Sequence, residues 1–134
     1  MWTTQRRVYF READPAGLLF FGNVYALVHD AYEEFLMSLG IDWKSWFEGR
    51  EYIVPIRHSE ADYQKPLFPG QPAHIGLEVL EVGKTSWKLG FQIWQEQPSQ
   101  PNVKGHLVLV FVDPKTMQSR PVPETFSRAV ASRK

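Results

Sequence analysis

The chain has 134 residues, with fifteen basic and fifteen acidic side chains, and 43% of it is apolar. That suffices for a single domain, 1–134, with a real core, and is too little for two. The balanced charge provides no basic stripe of the kind a nucleic-acid surface requires. There is no cysteine, so thiol nucleophiles, disulfides and thiolate metal sites are excluded, and a reducing cytoplasmic setting fits. Neither the apolar core of a signal peptide nor a run of about 18 apolar residues is present, so no membrane span is expected.

Residues 5–11 read as a short strand with Val8 and Phe10 on one face, and 12–17 as a turn. Residues 18–22 are apolar and end at Gly22, and Asn23 is placed to cap a helix. The helix runs to about Leu39. Val24, Leu27, Val28, Ala31, Phe35 and Leu39 recur at spacings of three and four, and Tyr25, Tyr32 and Leu36 widen the stripe, so the helix is expected to be covered on most sides. Gly40 is the expected stop.

Residues 41–50 form a loop or irregular turn holding Trp43, Trp46 and Phe47. The apolar period then changes from 3.6 to 2. A strand is expected over 51–64, a Pro/Gly turn over 65–70, and strands over 73–82, 85–95 and 103–112, the last apolar on both faces and therefore central. The tail from Arg120 is polar and expected to fray. A strand, one long buried helix and four further strands with short connections give an α+β layout.

Asp14 lies in Asp-Pro-Ala-Gly between the first strand and the helix. These are favoured turn residues, so the segment can be a turn and nothing more. It also sets a carboxylate near a helix start, where unpaired N–H groups of Phe21, Gly22 or Asn23 can face a developing oxyanion. Gly22 would let a ligand approach the backbone closely. Glu12, two residues before Asp14, is either a second acid or a solvated strand end, the latter preferred. On the helix, His29 and Glu33 are four apart; two ligands are too few for a metal site, and none is expected. Glu33 or Glu34 can orient a water or form a polar helix edge. His58, His74 and His106 read as separate structural histidines. Gly83-Lys84-Thr85-Ser86 is a hairpin turn or, more weakly, a phosphate contact. Serine-hydrolase elbows and phosphate-cradling glycine loops are absent from the sequence. The many aromatic residues are assigned to the core and to a subunit interface ahead of ligand stacking.

Two stretches carry a family resemblance. The first runs Glu12-Ala13-Asp14-Pro15-Ala16-Gly17, then Leu18 to Phe21, Asn23, Tyr25 and Ser38-Leu39-Gly40; the second is Ile53-Val54-Pro55-Ile56-Arg57-His58 with Ala61-Asp62-Tyr63 and Pro66. Together they resemble the 4-hydroxybenzoyl-CoA thioesterase family of the hotdog fold. The resemblance implies an antiparallel five- to six-stranded sheet wrapped around one long central helix. It implies a homodimer, often paired into a homotetramer, with active sites at the dimer interface. It also implies hydrolysis of an acyl-CoA thioester without a cofactor. By resemblance, Asp14 is the catalytic Asp, the Phe21 N–H the oxyanion donor beside Gly22, and Asn23, Tyr25 and His29 are substrate contacts. Lys84, Thr85 and Ser86 then meet the coenzyme A phosphates. Glu12 stands where the family has Asp more often, Val24 where Tyr is usual after the Asn, and Gly70-Gln71 where Gly-Asp is common. Related members hydrolyse short-chain acyl-CoA or 1,4-dihydroxy-2-naphthoyl-CoA, and the aromatic content is compatible with a flat aromatic acyl group. An acyl-carrier-protein thioester is the alternative substrate, and a non-catalytic acyl-binding module of the same fold the alternative function.

Overall fold

The computed structural model of the protein describes residues 1–48 and 51–132. Positions 49 and 50 of the expected loop and the last two residues of the expected tail lie outside that range. The strands are β1 (Trp2–Arg7), β2 (Ile56–Tyr63), β3 (Pro72–Val82), β4 (Ser86–Trp94) and β5 (Val103–Val110); the helices are α1 (Val24–Ser38), α2 (Trp43–Phe47) and α3 (Glu124–Ala131). The strands form one five-stranded sheet in the order β1-β3-β4-β5-β2, every pair antiparallel. This is the hotdog arrangement, a sheet curled around the long helix.

Alternation along the strands decides which face holds the core. Ile75 and Leu77 of β3, Leu89, Phe91 and Ile93 of β4, and Leu107 and Leu109 of β5 are buried against α1. The helix buries Val24, Leu27, Val28, Ala31, Tyr32, Phe35 and Leu36. An isolated helix of 15 residues is marginal in water. Its stability here comes from that stripe, each large apolar side chain being worth roughly 1.5–3 kcal/mol on burial. The helix is covered on most of its sides, as expected, and His29, Asp30, Glu34 and Met37 leave one face open in the single chain. The stop is as expected: Gly40 has φ +76, its N–H reaches Met37 O at 3.0 Å, and Ile41 N–H reaches Leu36 O at 3.2 Å. Those two bonds form a Schellman motif, and the left-handed backbone is why Gly stands there.

Four expectations are corrected. The first strand ends at Arg7, and Phe10–Glu12 is a 3-10 turn, so Val8 is buried while Phe10 is exposed. The strand expected from residue 51 starts at Ile56; Pro55 lacks the N–H a ladder needs, and only an isolated bridge, Ile53 to Val112, precedes it. The loop over 41–50 contains α2, whose N-cap Asp42 accepts from Ser45 N–H at 3.2 Å. The described part of the tail does not fray: α3 buries Phe126 and Val130, four residues apart on one helical face. The strand expected to be central, β5, is paired on both sides, but the middle of the sheet is β4.

Candidate active site

The Asp14 loop is narrow and closed. Asp14 N–H donates to Leu18 O at 2.7 Å, Gly17 N–H donates to Asp14 O at 3.0 Å, and Ala13 bridges Leu19. Gly17 has φ +81, which turns the chain back at little steric cost. The carboxylate closes the loop on itself: its Oδ1 accepts from Ala16 N–H at 2.8 Å and from Leu18 N–H at 3.3 Å. These local bonds fix the side chain as an Asx turn. They leave Oδ2 without a partner among the described residues.

Glu12 is neither a second acid at the site nor a solvated strand end. It is half-buried and pairs with Arg6 at 2.8 Å while accepting from Tyr9 N–H at 2.9 Å. Its backbone carbonyl takes Phe20 N–H at 2.9 Å and Asn23 Nδ2 at 2.9 Å. Asn23 therefore makes no side-chain cap on α1; it ties the helix start to the Asp14 loop instead.

Phe21–Asn23 is a 3-10 turn that runs into α1. The N–H groups of Phe21 and Gly22 donate to no acceptor among the described residues, whereas Asn23 N–H is spent on Phe20 O at 2.9 Å. Tyr63, at the end of β2, donates its hydroxyl to Phe21 O at 2.8 Å and sets its ring edge-on to Phe21 at 6.3 Å. The Phe21–Gly22 peptide is thereby held from its carbonyl side. Burial and the neighbouring Tyr25 push the Tyr63 hydroxyl above its ordinary pKa. The space a side chain would take at Gly22 holds the Phe20 ring, 2.8 Å from an ideal Cβ; it is not left open for a ligand.

Asp14, Leu19, Phe21, Val24, Tyr63 and Leu67 line one cavity of about 230 Å³. Its far wall, 64–67, is held by Asn102. That side chain is buried, donates to Pro66 O at 2.9 Å and accepts Gln95 N–H at 3.0 Å. Sequence reasoning named neither Tyr63 nor Asn102 as functional; the Ala61-Asp62-Tyr63 motif was a usable signal for the first, and nothing local marked the second.

The other expected contacts lie elsewhere in the chain. Tyr25 packs edge-on against Phe91 at 6.4 Å. His29 is exposed and 3.1 Å from Glu33, and Glu34 accepts from Thr4 at 2.5 Å. None of these lines the cavity. Lys84, Thr85 and Ser86 form the β3–β4 turn, closed by Gly83 N–H to Ser86 O at 2.7 Å. That turn is at the opposite end of β3 from Pro72, whose end adjoins Val8 and the Asp14 side. Within one chain the turn and Asp14 do not meet.

Comparison with known proteins gives the following. The model of the thioesterase-like superfamily matches residues 8–130. A 1,4-dihydroxy-2-naphthoyl-CoA hydrolase of Rippkaea orientalis is 30% identical over 95% of this chain and 93% of its own length. One from Synechococcus elongatus is 31% identical over 90% and 88%. Among solved structures, a 1,4-dihydroxy-2-naphthoyl-CoA thioesterase from Synechocystis superposes with TM-score 0.88 at 21% identity, covering 96% of this chain and 94% of that one. A 4-hydroxybenzoyl-CoA thioesterase variant complexed with 4-hydroxybenzoyl-CoA superposes with TM-score 0.84 at 18% identity, covering 96% and 97%.

Proposed function

This chain belongs to the thioesterase-like superfamily, and from that premise we propose that it hydrolyses an aromatic acyl-CoA thioester, of the 4-hydroxybenzoyl or 1,4-dihydroxy-2-naphthoyl kind, to free acid and coenzyme A. No metal or cofactor takes part in this reaction. The observation that carries the reading is the shared cavity wall. Asp14, whose Oδ2 has no partner among the described residues, and Phe21, whose N–H likewise donates to none of them, border the same mainly apolar space. The named activities of the relatives point the same way.

Asp14 acts either by attacking the thioester carbonyl carbon, which gives a mixed anhydride that water then hydrolyses to the free acid and restored Asp14, or by taking a proton from the water that attacks it. In both routes the carbonyl oxygen becomes an oxyanion and the coenzyme A thiolate departs. The N–H groups of Phe21 and Gly22 face the oxyanion; one such donor is worth about 3 kcal/mol. A thiol has a pKa of about 8.5, so the thiolate leaves without strong acid assistance, and no Ser-His-Asp set is needed. The flat rings of Phe21 and Tyr63 suit an aromatic acyl group.

A second copy of the chain completes the site. The cavity of about 230 Å³ falls short of the roughly 300–1,000 Å³ of complete small-molecule sites. Strand β2 is an edge strand of eight residues, almost all exposed, and its free N–H and C=O groups invite pairing. Antiparallel pairing of β2 with its copy sets the partner's Ile56 end beside this chain's Tyr63 end. The partner's β4, which begins at its own turn, then lies three strands away, about 15 Å at the usual spacing. Lys84, Thr85 and Ser86 of one chain thus serve the Asp14 cavity of the other and take the coenzyme A phosphates. Two such dimers make the homotetramer that the resemblance implies, in the cytoplasm; among the described residues no helix is long and apolar enough to cross a membrane.

The test is free-thiol release from 4-hydroxybenzoyl-CoA, benzoyl-CoA, 1,4-dihydroxy-2-naphthoyl-CoA and straight-chain acyl-CoAs, with Asp14→Asn alongside. Asparagine keeps the acceptor for Ala16 and Leu18, so the variant is expected to fold and to lose turnover by at least about 100-fold. Near-normal turnover by pure Asp14→Asn protein refutes the assignment. Release only from acyl-carrier-protein thioesters would correct the carrier, and no release from any thioester would leave a binding module.

A further inference from the structure

A second set of chemistry-bearing side chains lies on the sheet face turned away from α1. His58 and Glu60 are two residues apart on β2, so both project to one face. Strand pairing sets His106 of β5 directly opposite Glu60, between the inward-facing Gly105 and Leu107. One Glu60 oxygen, Oε1, is 3.0 Å from His106 Nδ1 and 3.9 Å from His58 Nε2. The two imidazole rings are 5.5 Å apart. One ligand atom from each of the three groups falls within 4.8 Å of the others. None of the three lines the Asp14 cavity. The histidines that read as separate in the sequence are neighbours only because β2 and β5 pair.

We propose that His58, Glu60 and His106 form a binding site for one divalent cation of the zinc class. The donor set decides the class. Two imidazoles and one carboxylate suit borderline transition metals, whereas calcium and magnesium call for oxygen ligands alone. The spacing is close to what is required. Ligand atoms about 2.0–2.2 Å from a tetrahedral ion lie about 3.3 Å from one another, and the three groups bracket that distance. Drawing them together exchanges the contacts of Glu60 with His106 and His58 for bonds to the ion.

Access is open. The side chains of His58 and Glu60 are 54% and 59% exposed, while His106 is held at 18%. The inner ligand is thus fixed by the sheet and the outer two close over it. Three protein donors leave a fourth position to water or to a further ligand. A bound ion also cross-links the edge strand β2 to β5, so binding should raise thermal stability.

The experiment titrates zinc chloride into chelator-treated protein by calorimetry and follows the melting temperature in parallel. One ion per chain is expected, with His58→Ala, Glu60→Gln and His106→Ala each weakening binding by about tenfold or more, since even outer-shell partners of a metal carry that much. The zinc-dependent rise in melting temperature should shrink in the same variants. His29→Ala, which removes the other described histidine–carboxylate pair close enough to bond at the helix surface, should bind as the parent does. His58 is on the exposed side, so its variant remains informative if His106→Ala folds poorly. No zinc uptake by the parent chain, unchanged uptake by both histidine variants, or loss in His29→Ala overturns the proposal. Thiol release plays no part in the readout, so this outcome is independent of the thioesterase assignment.

Discussion

The two ends of this molecule use aromatic rings in opposite ways. At the closed end, Tyr32, Trp46, Trp87, Phe111 and Phe126 are all buried. Trp46 meets Phe126 at 5.3 Å and Phe111 at 5.6 Å, Trp87 meets Phe126 at 4.8 Å, and Trp46 Nε1 donates to Tyr32 Oη at 2.6 Å. At the open end, Phe21 is 64% exposed and Tyr63 47%, both lining the Asp14 cavity, and Phe10, outside that lining, is 84% exposed. Where rings enclose one another they supply stability. Where they border the cavity, they stay largely exposed. Substitutions at the two ends should therefore move different observables.

The largest expected effect is at the closed end. Trp46→Ala should cost about 3–5 kcal/mol in denaturant unfolding, as expected for a large aromatic cut out of a core. A loss under about 1 kcal/mol would mean that the cluster is not a unit.

Alkali attacks the same cluster. Burial is the main cause that drives the Tyr32 hydroxyl far above its ordinary value, partly opposed by the Trp46 hydrogen bond. An acid raised in the folded state keeps its proton while the unfolded chain releases it near pH 10. The stability it confers is thus full below pH 10 and falls above it, by about 1.4 kcal/mol per pH unit. Unfolding curves taken between pH 9 and 12 should show at least that slope in the parent chain, because Tyr52 and Tyr63 are raised as well. Tyr32→Phe should flatten it by about one proton's worth.

At the open end, Tyr63→Phe removes the bond that holds Phe21 O. Turnover should fall about tenfold with KM little changed, the split expected when an oxyanion donor loses its orientation. Equal rises in KM with kcat intact would make Tyr63 a wall residue and no more. The smallest effect is Phe10→Ser. For the isolated chain it should stay within about 0.5 kcal/mol, as surface changes do. A larger loss that grows with protein concentration would put Phe10 in the interface.

The same division marks what could be read from the sequence. Helix α1 and strands β3 to β5 were legible because their apolar periods run long and unbroken. The strand start at Ile56 was not, because Pro55 interrupts the ladder inside a run that otherwise alternates. Helix α3 offered only Phe126 and Val130, a signal of two residues in a polar tail. Asp14 stood out through turn chemistry, which is local. Tyr63 reaches Phe21 across 42 positions of chain, and Asn102 reaches Pro66 across 36; only the folded sheet makes them neighbours. His58 and His106 were likewise unconnected until the strands paired. Asn23 misled because its type suits a cap, while the nearby Glu12 carbonyl offered its side chain a better partner.

The β3–β4 turn and Asp14 stand at opposite ends of the same chain, which, for the dimer proposed above, has a genetic consequence. In a dimer that builds each site from both copies, an Asp14→Asn chain and a chain altered at Lys84 fail separately for different reasons. Mixed one to one, half the dimers are hybrids, and each hybrid holds one site with both defects and one with neither. About a quarter of the parent activity should then return. Two inactive alleles would complement each other, each lending its companion the half it still has.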